Sequence, residues 1–471
     1  MPKEIIIVGS GPAALALVWG LQDTGCLESG VRVRILEASD ENTPLLPRKT
    51  PLPKNISPKV ATLWPEIDTA WQQQNLLPED FFPILLESFG GLGLYWGGHI
   101  EFPESIRGID TQRLGNAGAS LIQRLGLRGE SHTIEHTPFA GAMKHIHPFS
   151  SFSSPVTEFW RRITPDMQKK FKVMPAMVAA GERVISPPQK SLFNTPMWSP
   201  LEGWKKILDH PAIIFERGTR VIALERAALN ETIVNIADGT ARQAPLVVLA
   251  NGTVASSVLL LRALNQAQCP LYSTPAVLGV HLLPNFHVRS RPHYGHAEVR
   301  FKGYKVPYNK YLFSAEVLSP DWWKNRLPIL SRRLAPFVAR HLLLYCLFMP
   351  WSYGKGALHL NVNGQVSSVD ESDKVAHQKV IDISKAESKS LGLINLPDPW
   401  GSMPLALGLD VHTGGSFPLS GHAIDETGQV RHWPGLFMVS GAVLEHPPEH
   451  LTFSVMVMAY TLAETLKDPI L

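Results

Sequence analysis

His412 and His450 are the residues of this chain best suited to acid–base chemistry at neutral pH. A neutral imidazole can take a proton from a hydroxyl, and a second imidazole can hold the alkoxide that develops. Both lie in residues 409–464, a run that begins LDVHTGGSFPL, passes through GQVRHWPGLFMVSG and ends EHLTFSVMVMAYTLAE. His412 falls on a Gly-rich loop, a polar turn follows at 425–428, and 436–439 reads as a short apolar strand. Pro447 and Pro448 bend the chain into a helix that opens near His450. An apolar stripe at Leu451, Val455, Met458, Ala459 and Leu462 has the spacing of one helical face. If the strand between them runs through the core, both imidazoles converge at one of its ends. The plainer alternative is that each histidine caps a turn or satisfies a backbone carbonyl.

What weighs against that alternative is the opposite end of the chain. Residues 4–8 (EIIIV) form a β-rich apolar run, followed by GSGPAA and the apolar-periodic LALVWGLQ. A second strand at 31–36 (VRVRIL) ends in Glu37. Strand, glycine turn, helix, strand and acid together are the dinucleotide-binding fingerprint. In it Gly9 makes the tight turn, and Gly11 lets backbone N–H groups approach a pyrophosphate at the helix N-terminus. Ala14 allows close helix–strand packing, and Glu37 accepts from a ribose diol. The fingerprint by itself leaves NAD and FAD both open.

Two further stretches point the same way. FGGLGLYWGG, residues 89–98, has five glycines in ten residues and cannot be a helix interior. It lets backbone come close to a flat ligand, with Trp96 as a wall; the alternative is a surface loop. Later, 246–250 reads as a buried strand, Asn251 and Gly252 as a turn, and 255–264 as a helix that returns the chain to the first sheet.

Composition narrows the class. At 471 residues, 44% hydrophobic and 18% charged, the chain is long enough for two globular domains. A net charge of +3 argues against a dedicated nucleic-acid binder. Three cysteines and no CxxC give neither a disulfide framework nor a structural zinc site, so no metal is expected. The apolar run 5–8 is broken at once by glycines, unlike a signal-peptide core, and no run of apolar residues is long enough to span a membrane. The expectation is a cytoplasmic protein.

The middle of the chain is less ordered in its signals. Residues 101–210 read partly as linker and partly as the surface of a second domain, and short β-rich runs follow at 213–215, 220–225 and 232–237. Strand-like runs recur at 297–301, 311–317 and 357–362. Between them, residues 322–351 set Lys324, Arg326, Arg332, Arg333 and Arg340 beside a strongly apolar face. Two readings fit: an interfacial helix pair that makes peripheral lipid contact or gates an apolar substrate, or a lid or buried helix whose arginines face solvent.

Taken together these segments resemble the glucose–methanol–choline (GMC) oxidoreductase family, particularly its cholesterol-oxidase and pyranose-oxidase-like branches. GSGPAA with Glu37 looks like the family's ADP-binding motif for FAD, and FGGLGLYWGG like its flavin-attachment loop. LVVLANGTVASSVLLL is similar to its second signature, and the run from HTGGSFPL to HLTFSVMVMAYTLAE looks like its terminal block. The resemblance implies an α/β, two-domain fold. A discontinuous Rossmann-type FAD-binding domain would cover 1–150, 205–270 and 405–471. A second domain, built on an antiparallel sheet, would cover 151–204 and 271–404.

It also implies residue roles. FAD would lie on Gly9, Gly11, Pro12, Ala13, Ala14 and Glu37, and against Gly91, Trp96, Gly97 and Gly98. Val221 would bring a backbone group to the adenine, and Ala250, Asn251, Gly252, Gly441 and Ala442 would complete the site. Tyr95 stands where some members bond a histidine to the flavin, which implies non-covalent FAD. His412, with Gly415 and Ser416 three and four positions on, matches the family's catalytic H-x-x-G-[TGS] histidine. His450 falls where the family has its second residue, His or Asn. The loop before it is one residue shorter than usual, so His446 is a rival, and His446 and Trp96 are the implied substrate contacts. Where the family usually has Asp-Gly-Ser after the last strand, this chain has Ser440, Gly441 and Ala442. The implied activity is oxidation of a C–OH group on a bulky or apolar small molecule, with O2 or another acceptor taking the electrons. Two other readings stay open: a lyase, isomerase or decarboxylase on the same scaffold, and a flavin-binding partner protein without catalysis.

Overall fold

The computed structural model describes residues 4–39, 89–91, 99–100, 110–125, 127–128, 146–147, 155–175, 177–179, 198, 200–227, 231–284, 298–314, 341–349, 358–368, 374–397, 401–404, 413–445 and 451–470. Five strands form its parallel sheet: β1 (Glu4–Val8), β2 (Arg32–Leu36), β3 (Ile213–Glu216), β4 (Leu246–Leu249) and β5 (Leu436–Met438). The helices that accompany it are α1 (Pro12–Asp23), α2 (Thr111–Leu125), α3 (Pro200–Lys205), α4 (Thr253–Ala263) and α5 (Leu451–Ile470).

The sheet order is β5-β4-β1-β2-β3, with every pair parallel. A strand covered on both faces has no polar side to alternate with, so EIIIV and LVVL are near-continuous apolar runs. Ile5, Ile6 and Ile7 are fully buried at its centre. The second strand–turn–helix segment does return to this sheet, because β4 lies directly beside β1.

The C-terminal helix departs from the striped pattern expected of it. Every residue from Phe453 to Ala463 is buried, not one face alone. It packs against α1 so closely that a Cβ on Gly20 would meet Ala463 Cβ at 2.6 Å and the Tyr460 carbonyl oxygen at 2.7 Å. On another side lies α2, whose Arg113 pairs with Glu464 at 3.0 Å. A helix wedged between neighbours buries its whole circumference, which a one-face template understates.

The described parts of 101–210 include helices packed into the core. Leu114, Ala117, Leu121, Ile122 and Leu125 make a buried helical stripe on α2. Within α3, Trp204 is fully buried, and a Cβ on Gly203 would meet Leu15 Cδ2 at 2.5 Å and Trp19 at 2.8 Å. Both signals are present in the sequence but diluted by Gly, Asn and Pro.

The other large sheet has seven strands, six of them on its main path, and its core pairs are antiparallel. Ala276–Leu282, Leu342–Phe348, Asn309–Ser314 and Glu298–Lys302 succeed one another across it. The expected helix pair across 322–351 is therefore wrong over Leu342–Phe348, which is a central strand. LLLYCLF is apolar at every position, and periodicity does not separate a buried strand from a buried helix in so short a run. Lys324, Arg326, Arg332, Arg333 and Arg340 lie outside the described residues. Helix Lys374–Ser390 covers one face of this sheet, with Val380 and Ile381 among Leu343, Tyr345 and Leu347.

That covered face carries buried polar groups. The Lys310 Nζ donates to Ser388 Oγ at 2.8 Å and Ser384 Oγ at 3.1 Å and sits 3.9 Å from the centre of the Tyr345 ring. The His281 ring stacks on the same tyrosine at 4.5 Å, and neither ring nitrogen has a hydrogen-bond partner among the described residues.

Candidate functional site

The site is built on the carboxyl edge of the parallel sheet, where open α/β folds bind ligands. The turn after β1 is held by the Gly9 N–H, which donates to the Leu36 carbonyl at 2.8 Å. Gly9 has φ +97°, and a Cβ there would meet Asn251 Cα at 2.7 Å and the Ala250 carbonyl oxygen at 3.0 Å. Only glycine fits. Gly11 is the N-cap of α1, Pro12 follows at the first helical position, and no side chain among the described residues caps this end. The first turn carries no acid, so its N–H groups and the positive end of the helix dipole suit a phosphate. Ala13 and Ala14 are buried and small enough to keep α1 close to the sheet.

Glu37 closes β2 and is 5% exposed. The Ser10 hydroxyl donates to its Oε2, and the Ser39 N–H donates to its Oε1 at 2.8 Å. Ser10 was not among the residues expected from the sequence. Its hydroxyl also accepts from the Gly90 N–H at 3.0 Å, and its carbonyl accepts from the Trp204 indole at 2.8 Å. Phe89 is packed against Phe215 at 4.9 Å between ring centres. The start of the second glycine-rich stretch is thus fastened to the first, and a Cβ on Gly91 would lie 3.8 Å from Gly11 Cα. Trp96, Gly97 and Gly98 lie outside the described residues.

Val221, expected at the adenine, opens a strand of a three-stranded antiparallel sheet and pairs with Ile236. It lies two residues after Thr219, whose N–H donates to the Glu37 carbonyl at 2.9 Å. That places it at the acid's end of the sheet.

The C-terminal segment reaches the same edge through β4. Ala250 and Asn251 pack on Gly9, and Gly252, at φ +82°, turns the chain into α4. The Thr253 hydroxyl, in the first turn of α4, donates to the Thr413 carbonyl at 2.7 Å. From there Gly415, Phe417 and Leu419 donate their N–H groups to the carbonyls of Gly441, Ala442 and Val443 at 3.1, 2.8 and 2.9 Å. A Cβ on Gly441 would meet Thr253 Oγ1 at 2.5 Å, the Thr413 carbonyl at 2.7 Å and Leu451 Cδ1 at 3.3 Å. Ser440 caps this turn by accepting from the Ala442 N–H at 3.3 Å.

Thr413 follows His412 in the chain, and Leu451 follows His450. The neighbours of both histidines therefore meet at Gly441, although His412, His446 and His450 themselves lie outside the described residues. Burial pushes the Cys269 thiol up to about 12, so this cysteine is no nucleophile. Among the described residues no group of three or more His, Cys, Asp or Glu could hold a metal ion, and no helix is long and apolar enough to cross a membrane.

A glycine turn without room for a side chain, an uncapped helix N-terminus and a buried, oriented acid fit a dinucleotide on a Rossmann-type fold. No protein-family model matches the sequence, and no curated protein matches it. Among solved structures, pyridoxine 4-oxidase from Mesorbium loti is similar over 99% of both chains, with a TM-score of 0.57 and 12% identity. The likeness is one of fold: a mixed α/β, two-domain architecture with one parallel, Rossmann-type sheet and antiparallel sheets beside it.

Proposed function

We propose that this chain is an FAD-dependent oxidoreductase of the GMC type that oxidises a C–OH group on a small molecule. The observation that carries this reading is the meeting of Thr413 and Leu451 at Gly441, joined through Thr253 to the segment that packs on Gly9. It brings the chain next to each expected histidine to the sheet edge that holds the dinucleotide-type turn. The likeness in fold to a protein named as an oxidase favours redox chemistry over the non-redox readings.

Gly9 and Gly11 would receive the pyrophosphate, and Glu37 the adenosine ribose. FAD, when bound, supplies the hydride acceptor that no side chain provides. His412 takes the hydroxyl proton as general base. His450, with His446 as its rival, holds the developing alkoxide, a contribution of about 3 kcal/mol by comparison with other oxyanion donors. The substrate is a bulky, fairly apolar alcohol, and O2 or another acceptor reoxidises the enzyme.

The test begins with the purified protein's visible spectrum, followed by an anaerobic stopped-flow screen of sterols, sugars, aryl alcohols and amino alcohols. We expect a flavin band that bleaches with one of these classes. Turnover without bleaching would indicate a lyase, isomerase or decarboxylase instead. In the His412→Ala variant the flavin band should remain while turnover falls by roughly 100-fold or more; full activity would remove His412 from the mechanism. His450→Asn should be milder, and if it is the less active of the two the roles are reversed.

A further inference from the structure

We infer that Ser10 is a positioning residue for the cofactor's adenosine ribose: it acts through Glu37 and locks the start of the second glycine-rich stretch to the first. The inference rests on the FAD reading above but concerns a residue that the dinucleotide fingerprint leaves unspecified.

Three contacts meet on this one small side chain and its backbone. The Ser10 hydroxyl donates to Glu37 Oε2 and accepts from the Gly90 N–H at 3.0 Å, and its carbonyl accepts from Trp204 Nε1 at 2.8 Å. Ser10 is 2% exposed, Glu37 5% and Trp204 0%, so the relay runs where water does not compete. A hydroxyl has one proton to give. The Gly90 N–H occupies a lone pair of the oxygen and so directs that proton to the carboxylate. On its other oxygen Glu37 accepts from the Ser39 N–H at 2.8 Å. Bonds to both oxygens fix the plane of the carboxylate, and an acceptor held in one plane suits the two vicinal hydroxyls of a ribose. Without Ser10, the carboxylate would lose one of these anchors and the Gly90 N–H would lose its buried acceptor.

A chemical double-mutant cycle on the full chain tests this. Apoprotein is titrated with FAD and with its 2′-deoxyadenosine analogue, for wild type and for Ser10→Ala, and affinity is read from flavin fluorescence. We expect Ser10→Ala to bind FAD about tenfold more weakly, the scale of a lost hydrogen bond to a charged group. Its loss with the deoxy analogue should be markedly smaller. Glu37→Gln should likewise discriminate less between the two ligands than wild type does.

If Ser10→Ala binds FAD as tightly as wild type, the inference is wrong and the FAD reading stands. An equal loss with both ligands makes Ser10 a structural residue only and also overturns it. A wild-type protein that takes up no flavin sinks the FAD reading and the inference with it. Circular dichroism of apo Ser10→Ala, a one-atom deletion, should match wild type; a changed spectrum moves the comparison to Ser10→Gly, with the same ratio of losses expected.

Discussion

Gly9 shows how little freedom the site leaves at a single residue. Its φ of +97° is strained for any side chain, and the Cβ of an alanine would lie 2.7 Å from Asn251 Cα, a backbone atom that cannot swing away. Gly9→Ala should destabilise the protein by about 2 kcal/mol, from backbone strain and overpacking together. It should also weaken flavin uptake, because the turn and the β4 edge must move apart. Urea denaturation of the apoprotein beside a flavin titration checks both, and an unchanged midpoint would mean that the turn relaxes freely. Gly9, Gly11 and Glu37 were legible in the sequence because their spacing carries a mechanism. Ser10 was not, since its partners are 27 and 80 positions away in the chain.

At the scale of elements, the antiparallel sheet and its covering helix hold a proton-sensitive layer. Burial, and then the nearby Lys310 and Lys385, push the His281 imidazole well below its usual value. Burial also pushes Lys310 well below the usual amine range, with Glu387 acting against it. Glu387 accepts from the Tyr304 and Lys305 N–H groups and from the Tyr308 hydroxyl. The folded state therefore keeps His281 neutral, whereas the unfolded chain protonates it near pH 6.5. Stability contributed by the neutral ring is present above that pH and is lost as pH falls below it, by up to about 1.4 kcal/mol per pH unit for one proton. Urea midpoints measured from pH 7.5 to 5.0 should fall for wild type and fall less for His281→Leu. Parallel slopes for the two proteins would show that His281 does not carry the effect.

For the whole molecule, the proposed cofactor site draws on three distant parts of the chain: residues 4–39, 246–253, and 413–445 with Leu451. A ligand held by all three favours the folded state by mass action, about 2.7 kcal/mol at a hundred times its dissociation constant. Removing flavin should therefore lower the melting temperature of the unfolding transition, and adding FAD back should restore it. A melting temperature indifferent to FAD would mean that the cofactor does not bridge these segments. The same arrangement explains why α2 and α3, outside the fingerprint, belong to this core: Arg113 reaches Glu464, and Trp204 reaches Ser10.

By itself the sequence determined the parallel sheet's three best-marked strands, the glycine turn with its acid and the terminal helix. Each is a local pattern of apolar period, missing side chain or charge, and local patterns survive without knowledge of the partner. Only the tertiary structure decided that Leu342–Phe348 is a strand, because a run apolar at every position takes its conformation from the neighbours it pairs with. It alone decided that α5 is buried all round and that Gly20 must be small, because both depend on how closely two helices approach. It alone joined Ser10 to Glu37 and Gly90, because a hydrogen bond between distant segments leaves no periodic trace in the chain.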